Sequence, residues 1–221
     1  MDRDCGIMGK TGSVINIVQM LLIPGLLTVS CRQTRDGSAF IVPQAAQINV
    51  LHATWDSLSD GTSFRCFSDD DSFFFLFETV DSTITYSETF KGESDVELED
   101  RVEIFFSPAE TMDAYYCAEI DPLGRVLDYS CRFYRDMDYG WNFSSMSLWG
   151  HLTEDGYIVA GKIARSELRE LGCDDVNGFW MGVFRADYRK DFTVNWFSAV
   201  ETDDVSPDFH KPGVLFFTKI R

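Results

Sequence analysis

Asp100 and Glu103 sit where an acidic stretch turns into an alternating run, Arg101, Val102, Glu103, Ile104, Phe105, Phe106. Val102, Ile104 and Phe106 would share one face of a strand, which puts Glu103 on the other. Glu119 lies on the next such run, in the stretch Tyr115, Tyr116, Cys117, Ala118, Glu119, Ile120. Paired carboxylates so placed can divide acid–base work between them, or accept hydrogen bonds from a polar ligand. Arg185, two residues before Asp187, is a further candidate ligand contact, or half of a salt bridge with Asp187 or Glu103. Asp69, Asp70 and Asp71, and the pair Asp203 and Asp204, offer oxygen ligands of the kind calcium takes. Neither run has the spacing of a known calcium loop, and both read first as acidic turns. His52, His151 and His210 are dispersed, with no Ser-His-Asp or zinc spacing among them.

Strands must position these side chains. Alternating or continuous apolar runs fall at residues 47–51, 62–67, 73–80, 102–106, 114–120, 126–133, 146–152, 157–164, 179–185, 194–199 and 214–220. The run 73–80 is almost wholly aromatic and aliphatic, as expected of a strand at a sandwich centre or buried on both faces. Turn signals separate the strands: Asp69, Asp70, Asp71; then Pro122, Leu123, Gly124; then Glu154, Asp155, Gly156. One short helix is expected at residues 166–171, with Ser166 able to cap it and Gly172 ending it. The pattern is that of an all-β fold, a sandwich of two antiparallel sheets with one short helix.

The 221 residues suffice for one sizeable domain. A net charge of −17 argues against nucleic acid or an anionic lipid surface as partner. The N-terminal stretch is different in kind. Residues 13–30 are mostly apolar and end in Thr28, Val29, Ser30 before Cys31. We read residues 1–30 as a lipoprotein-type signal peptide, Cys31 as the lipidated mature N-terminus, 31–42 as a tether and 43–221 as the folded domain. Export to the periplasm or outer membrane follows, with membrane contact only through the lipid. Met8 is an alternative start. Cys66, Cys117, Cys131 and Cys173 remain in the domain, as thiols or as one of three disulfide pairings.

Several motifs together resemble the family 9 carbohydrate-binding modules, and within them the single-domain exported bacterial proteins. They are Trp55, the run 73–81, the junction 99–105, Tyr115 and Tyr116 with residues 121–124, the run 156–163, Asn195 and Trp196 with residues 197–198, and Phe209 and His210 before Pro212 and Gly213. The resemblance spans residues 43–221 and implies a two-sheet sandwich that holds a sugar between aromatic rings ringed by polar groups. It assigns Glu103 to a sugar-hydroxyl contact, Asp100 to the acidic position before that strand, and Phe209 to one sandwiching ring. The second ring would fall near Glu97, which is not aromatic, and the strand around Tyr115 to Glu119 lacks the arginine those modules carry. Trp141, in the stretch Asp138, Tyr139, Gly140, Trp141, Asn142, is a candidate for the missing ring, as a loop aromatic near solvent.

The reading that combines these is noncatalytic binding of a glycan or oligosaccharide at the bacterial envelope. No cofactor is expected, calcium being the one candidate. Three alternatives stay open: a glycoside hydrolase using Glu103 with Asp100 or Glu119, a haem-binding sandwich with a Met and a His as axial ligands, and a structural domain without ligand.

Overall fold

The computed structural model describes residues 61–174, 178–191, 193–202 and 207–218, and the backbone of a few short strands before them. The leader, the tether with Cys31, Trp55 and the Asp203, Asp204 pair lie outside the described residues. Among the described residues, eleven strands form two antiparallel sheets. In chain order they are β1 (Ser63–Ser68), β2 (Ser72–Val80), β3 (Arg101–Ser107), β4 (Ala114–Ile120), β5 (Val126–Arg132), β6 (Asp136–Asp138), β7 (Ser147–Leu152), β8 (Gly156–Ala164), β9 (Phe179–Tyr188), β10 (Val194–Ser198) and β11 (Phe216–Thr218). The larger sheet runs β6-β5-β4-β3-β9-β10, with β11 beside the first part of β9. The smaller runs β7-β8-β2-β1. The backbone of Gln47–Val50 extends the smaller sheet beyond β1, and that of His52–Ala53 extends the larger beyond β10. The sandwich expected from the alternating runs is the fold observed.

Two cores hold it together. Between the sheets, Phe73, Phe75 and Phe77 of β2 meet Val102, Ile104 and Phe106 of β3, all fully buried. Edge-on contacts such as Phe73–Phe106, 5.6 Å between ring centres at 86°, set the ring geometry. On the other face of β2, Phe74 stacks on Phe67 at 4.5 Å. A second core lies on the outer face of the larger sheet, where Phe105, Tyr115, Tyr129 and Phe184 are covered by Val96, Phe209, Val214 and Leu215. β3 is therefore buried on both faces along its whole length. Alternation along its sequence predicts one wet face; the cover comes from segments distant in sequence.

Val96 belongs to a 3₁₀ helix, Glu93–Leu98, the one element of that kind among the described residues. Its acidic sequence carries no apolar period, so nothing in the pattern announces it. The α-helix, α1 (Arg165–Glu170), lies where expected, but Ser166 is inside its first turn and does not cap it. Glu167 instead accepts bonds from the backbone and hydroxyls of Ser144 and Ser145. At the turn after β4, Asp121 accepts the N–H groups of Leu123 and Arg125 at 2.9 and 2.8 Å. Gly124 there has φ +80° and packs on Gly150 of β7; a Cβ on Gly150 would lie 2.2 Å from the Gly124 nitrogen. This turn is how the edge of the larger sheet touches the smaller one.

Candidate functional site

The junction Glu99, Asp100, Arg101, Val102, Glu103 sends three carboxylates to three separate buried clusters. Register decides the first. Glu103 of β3 is paired with Glu119 of β4 on one side and Phe184 of β9 on the other, all on the outer face. Arg101, two residues earlier on the same strand, turns its guanidinium between the two glutamates. Its Nε is 2.9 Å from Glu103 Oε1 and 2.7 Å from Glu119 Oε2. Nε carries one hydrogen. That hydrogen points to Glu103, and Glu119 Oε2, although close, has no hydrogen bond. Arg101 Nη1 donates to the Glu97 carbonyl at 2.9 Å, and the Tyr129 hydroxyl donates to Glu119 Oε1 at 2.8 Å. The relative exposures of Arg101, Glu103 and Glu119 are 6, 3 and 7%, so the triad is nearly closed from water.

Electrostatics follow from that closure. Burial, then the facing Glu119, raises the Glu103 carboxyl to about 7, against the pull of Arg101. Burial alone would lower Arg101, but Glu103 and Glu119 more than reverse it and hold the guanidinium charged. Aromatic rings border the triad. Arg101 lies 5.3 Å from the ring centre of Trp196 and 5.6 Å from that of Tyr188, both half-buried. Tyr139, half-exposed at 50%, packs on Tyr129 with ring centres 5.1 Å apart. Its phenol is raised by burial and then by Glu97 and Glu119, which places it beside the same carboxylates.

The second cluster lies at one end of the sandwich interior. Arg185 is paired in register with Val102, so it points inward, on the opposite face from Glu103. It forms an ion pair with Asp81 and donates to Thr62 Oγ1 at 3.4 Å. Asp100 accepts the backbone N–H groups of Thr85 and Tyr188, at 2.8 and 2.5 Å, and burial raises it to about 7 despite them. Asp187 accepts from Arg189 and Asn195 at 3.1 Å each, while its Oδ1 has no hydrogen bond. Carboxylate oxygens of Asp81, Asp100 and Asp187 lie within 4.8 Å of one another. Among the described residues these three form the group with the oxygen donors a hard cation takes, and Arg185 already supplies positive charge to it. Asp69, by contrast, accepts the N–H groups of Asp71 and Ser72 and closes the turn before β2. In the third cluster Glu99 pairs with Arg125 at 2.6 Å, which also binds Asp121.

The structure thus brings Asp100 together with Arg185 and separates both from Glu103. Phe209 is 5% exposed. It stacks on Phe184 at 4.1 Å between ring centres and meets Trp196 edge-on at 5.6 Å, which makes it part of the outer-face core. Trp141 is half-buried against Tyr116 and Phe143, at 5.1 and 4.7 Å. It flanks the sandwich interior, away from the triad's face. His210 is buried, with its Nδ1 3.0 Å from the Tyr115 hydroxyl. Cys66, Cys117, Cys131 and Cys173 are buried free thiols. A separate groove of about 340 Å³ opens between Val126, Asp128, Phe143, Met146 and Leu148; it does not include the triad. Sequence reasoning singled out Glu103 but missed Arg101 and Trp196 as its neighbours. The i, i+2 spacing of Arg101 and Glu103 on one strand was the available signal.

No protein-family model matches the chain, and no protein of curated function matches its sequence. Its fold is matched among solved structures. A protein from Bacteroides uniformis with a provisional carbohydrate-binding assignment aligns at TM-score 0.59 and 16% identity, over 77% of this chain and 84% of its own. A family 9 carbohydrate-binding module from Caldicellulosiruptor kristjanssonii, solved with glucose, aligns at TM-score 0.53 and 16% identity, over 80% of this chain and 84% of its own. The chain therefore has a fold like that of the family 9 modules.

Proposed function

We infer that this chain binds a saccharide, without chemical turnover, on the outer face of the larger sheet above the Arg101–Glu103–Glu119 triad. The observation that carries the reading is the triad itself. A charged, hydrogen-bonding group lies just beneath the surface of a sheet face, rimmed by half-buried Trp196 and Tyr188 and half-exposed Tyr139, the polar and flat apolar groups that a sugar's hydroxyl edges and C–H faces require. The fold likeness to a module solved with glucose supports it. A binding role is favoured over hydrolysis because Arg101 fills the gap between Glu103 and Glu119, where a scissile bond would have to enter. Export and anchoring through Cys31 belong to the same reading, supported by the apolar run that precedes it.

Titration calorimetry against plant and microbial oligosaccharides tests the reading. At least one glycan should bind, and Glu103→Gln and Trp196→Ala should each weaken it at least tenfold with the thermal midpoint checked in parallel. A blank panel, or unchanged affinity in both variants, removes the proposal. Mass spectrometry of the protein made in a bacterium tests the anchor, since an unlipidated Cys31 would refute it.

A further inference from the structure

With both carboxylates ionised, the charges of the triad do not balance. Glu103 and Glu119 are two carboxylates, directly opposed across neighbouring strands, and Arg101 is the one cation set between them. Among the described residues, the phenols of Tyr129, Tyr188 and Tyr139 and the Cys117 thiol also face the group. Glu97, close to Tyr139, adds a further negative charge at the rim. Two carboxylates opposed across a strand pair repel, and an unpaired buried charge is costly. The same shortage shows in the hydrogen bonds. One Nε–H cannot serve two carboxylates, and Glu119 Oε2, on a side chain only 9% exposed, has no donor.

We propose that the site takes an amino sugar, with its protonated primary amine donating to Glu119 Oε2 from the side that Arg101 leaves open; this rests on the saccharide-binding reading above. An ammonium brings one positive charge and three N–H donors. Both match what the triad lacks. A neutral hydroxyl supplies a donor and leaves the charge uncompensated; an N-acetyl group removes the charge and adds bulk. The rings around the site suit the same ligand, because an aromatic face attracts a cation as well as a sugar's C–H face. Entry is through Tyr139. Its ring is the most exposed of those bordering the triad, and its hydroxyl is held by the Met137 sulfur, at 3.0 Å. A thioether is a weak acceptor, so swinging this ring out gives up one weak bond and its contact with Tyr129.

The test compares three oligosaccharides of equal length by calorimetry at a pH where the amine is protonated: glucosamine, N-acetylglucosamine and glucose oligomers. The glucosamine oligomer should bind at least tenfold more tightly than the other two. Glu119→Gln should abolish that preference, whereas Glu154→Gln, which removes an exposed charge elsewhere, should keep it. Equal affinity for the three oligomers overturns the amino-sugar assignment and leaves saccharide binding standing. Binding of none of them, together with a blank wider panel, overturns both. A preference that Glu119→Gln and Glu154→Gln reduce alike is long-range attraction to an acidic protein, and overturns the assignment. If Glu119→Gln fails to fold, the wild-type ranking repeated at high salt decides: a preference that survives screening is local to the pair, and one that disappears overturns the assignment.

Discussion

Glu103 and Glu119 face each other in register across β3 and β4, and one nitrogen of Arg101 lies within 3 Å of both. The arrangement makes Arg101 the residue on which the two acids depend. Breaking a buried ion pair by removing one partner costs about 3–5 kcal/mol. Arg101→Met should therefore destabilise the protein by about that amount in urea denaturation. Adding Glu119→Gln to Arg101→Met should recover part of the loss, because one of the two orphaned charges is gone. No recovery in the double variant would show that Arg101 acts through packing alone.

Acidity should stabilise the fold over a limited window. The folded-state pKa of Glu103 is raised to about 7, above the unfolded value of about 4.3. The folded form binds the proton more tightly, so this contribution is complete below about pH 4 and is lost as pH rises through about 7. Asp100 and Glu99 are also raised to about 7, each first by burial, and act in the same direction. His210 opposes them. Burial lowers it to about 4, so its contribution is lost as pH falls below about 6.5. Between about pH 8 and about pH 6.5 the carboxylates act with the buried thiols, whose raised values work in the same direction, and the urea midpoint should rise as pH is lowered. Glu103→Gln should flatten that slope without removing it. A midpoint that falls over this interval contradicts the assignment.

Phe209 distinguishes a packing ring from a ligand ring. It is stacked on Phe184 and covered, so Phe209→Ala should cost about 3–5 kcal/mol of stability. Trp196→Ala should cost less, since Trp196 is only half-buried, while losing more of any glycan affinity. The reverse pattern, a stable Phe209→Ala with no affinity, would return Phe209 to the sugar-contacting role that the family resemblance gave it.

Gly161 of β8 faces the ring of Phe75, and a Cβ there would lie 2.1 Å from Phe75 Cζ. Phe75 is fully buried and wedged among Phe73 and Phe77, so the ring has nowhere to go. Gly161→Ala should destabilise by about 1–3 kcal/mol, as overpacking does. A thermal midpoint unchanged from wild type would mean the core yields more readily than its packing indicates.

The strands were legible because their signal is local. β2, β3, β4, β8 and β9 fall where apolar runs placed them, and the turns at Asp69 and Asp121 are built by aspartates that accept nearby backbone N–H groups. The face of Glu103 was legible for the same reason. Its burial was not. That depends on Val96 and Phe209, which arrive from a 3₁₀ helix and a C-terminal segment with no period of their own. Arg185 shows the other limit. Its nearness to Asp187 in sequence suggested a local pair, whereas its partner Asp81 comes from beyond β2 in the other sheet, a contact that only the folded topology creates.

The second core has a consequence for how the chain comes together. Phe209, Val214 and Leu215 are near the end of the chain, and they cover residues of β3, β4 and β5 made much earlier. Until they dock, Phe105, Tyr115 and Phe184 present a greasy surface to water, and the carboxylates beside them keep their hydration. Docking of the C-terminal segment is therefore what completes the apolar cover of that face. Such late, distant contacts make for slow assembly and a longer exposure to aggregation.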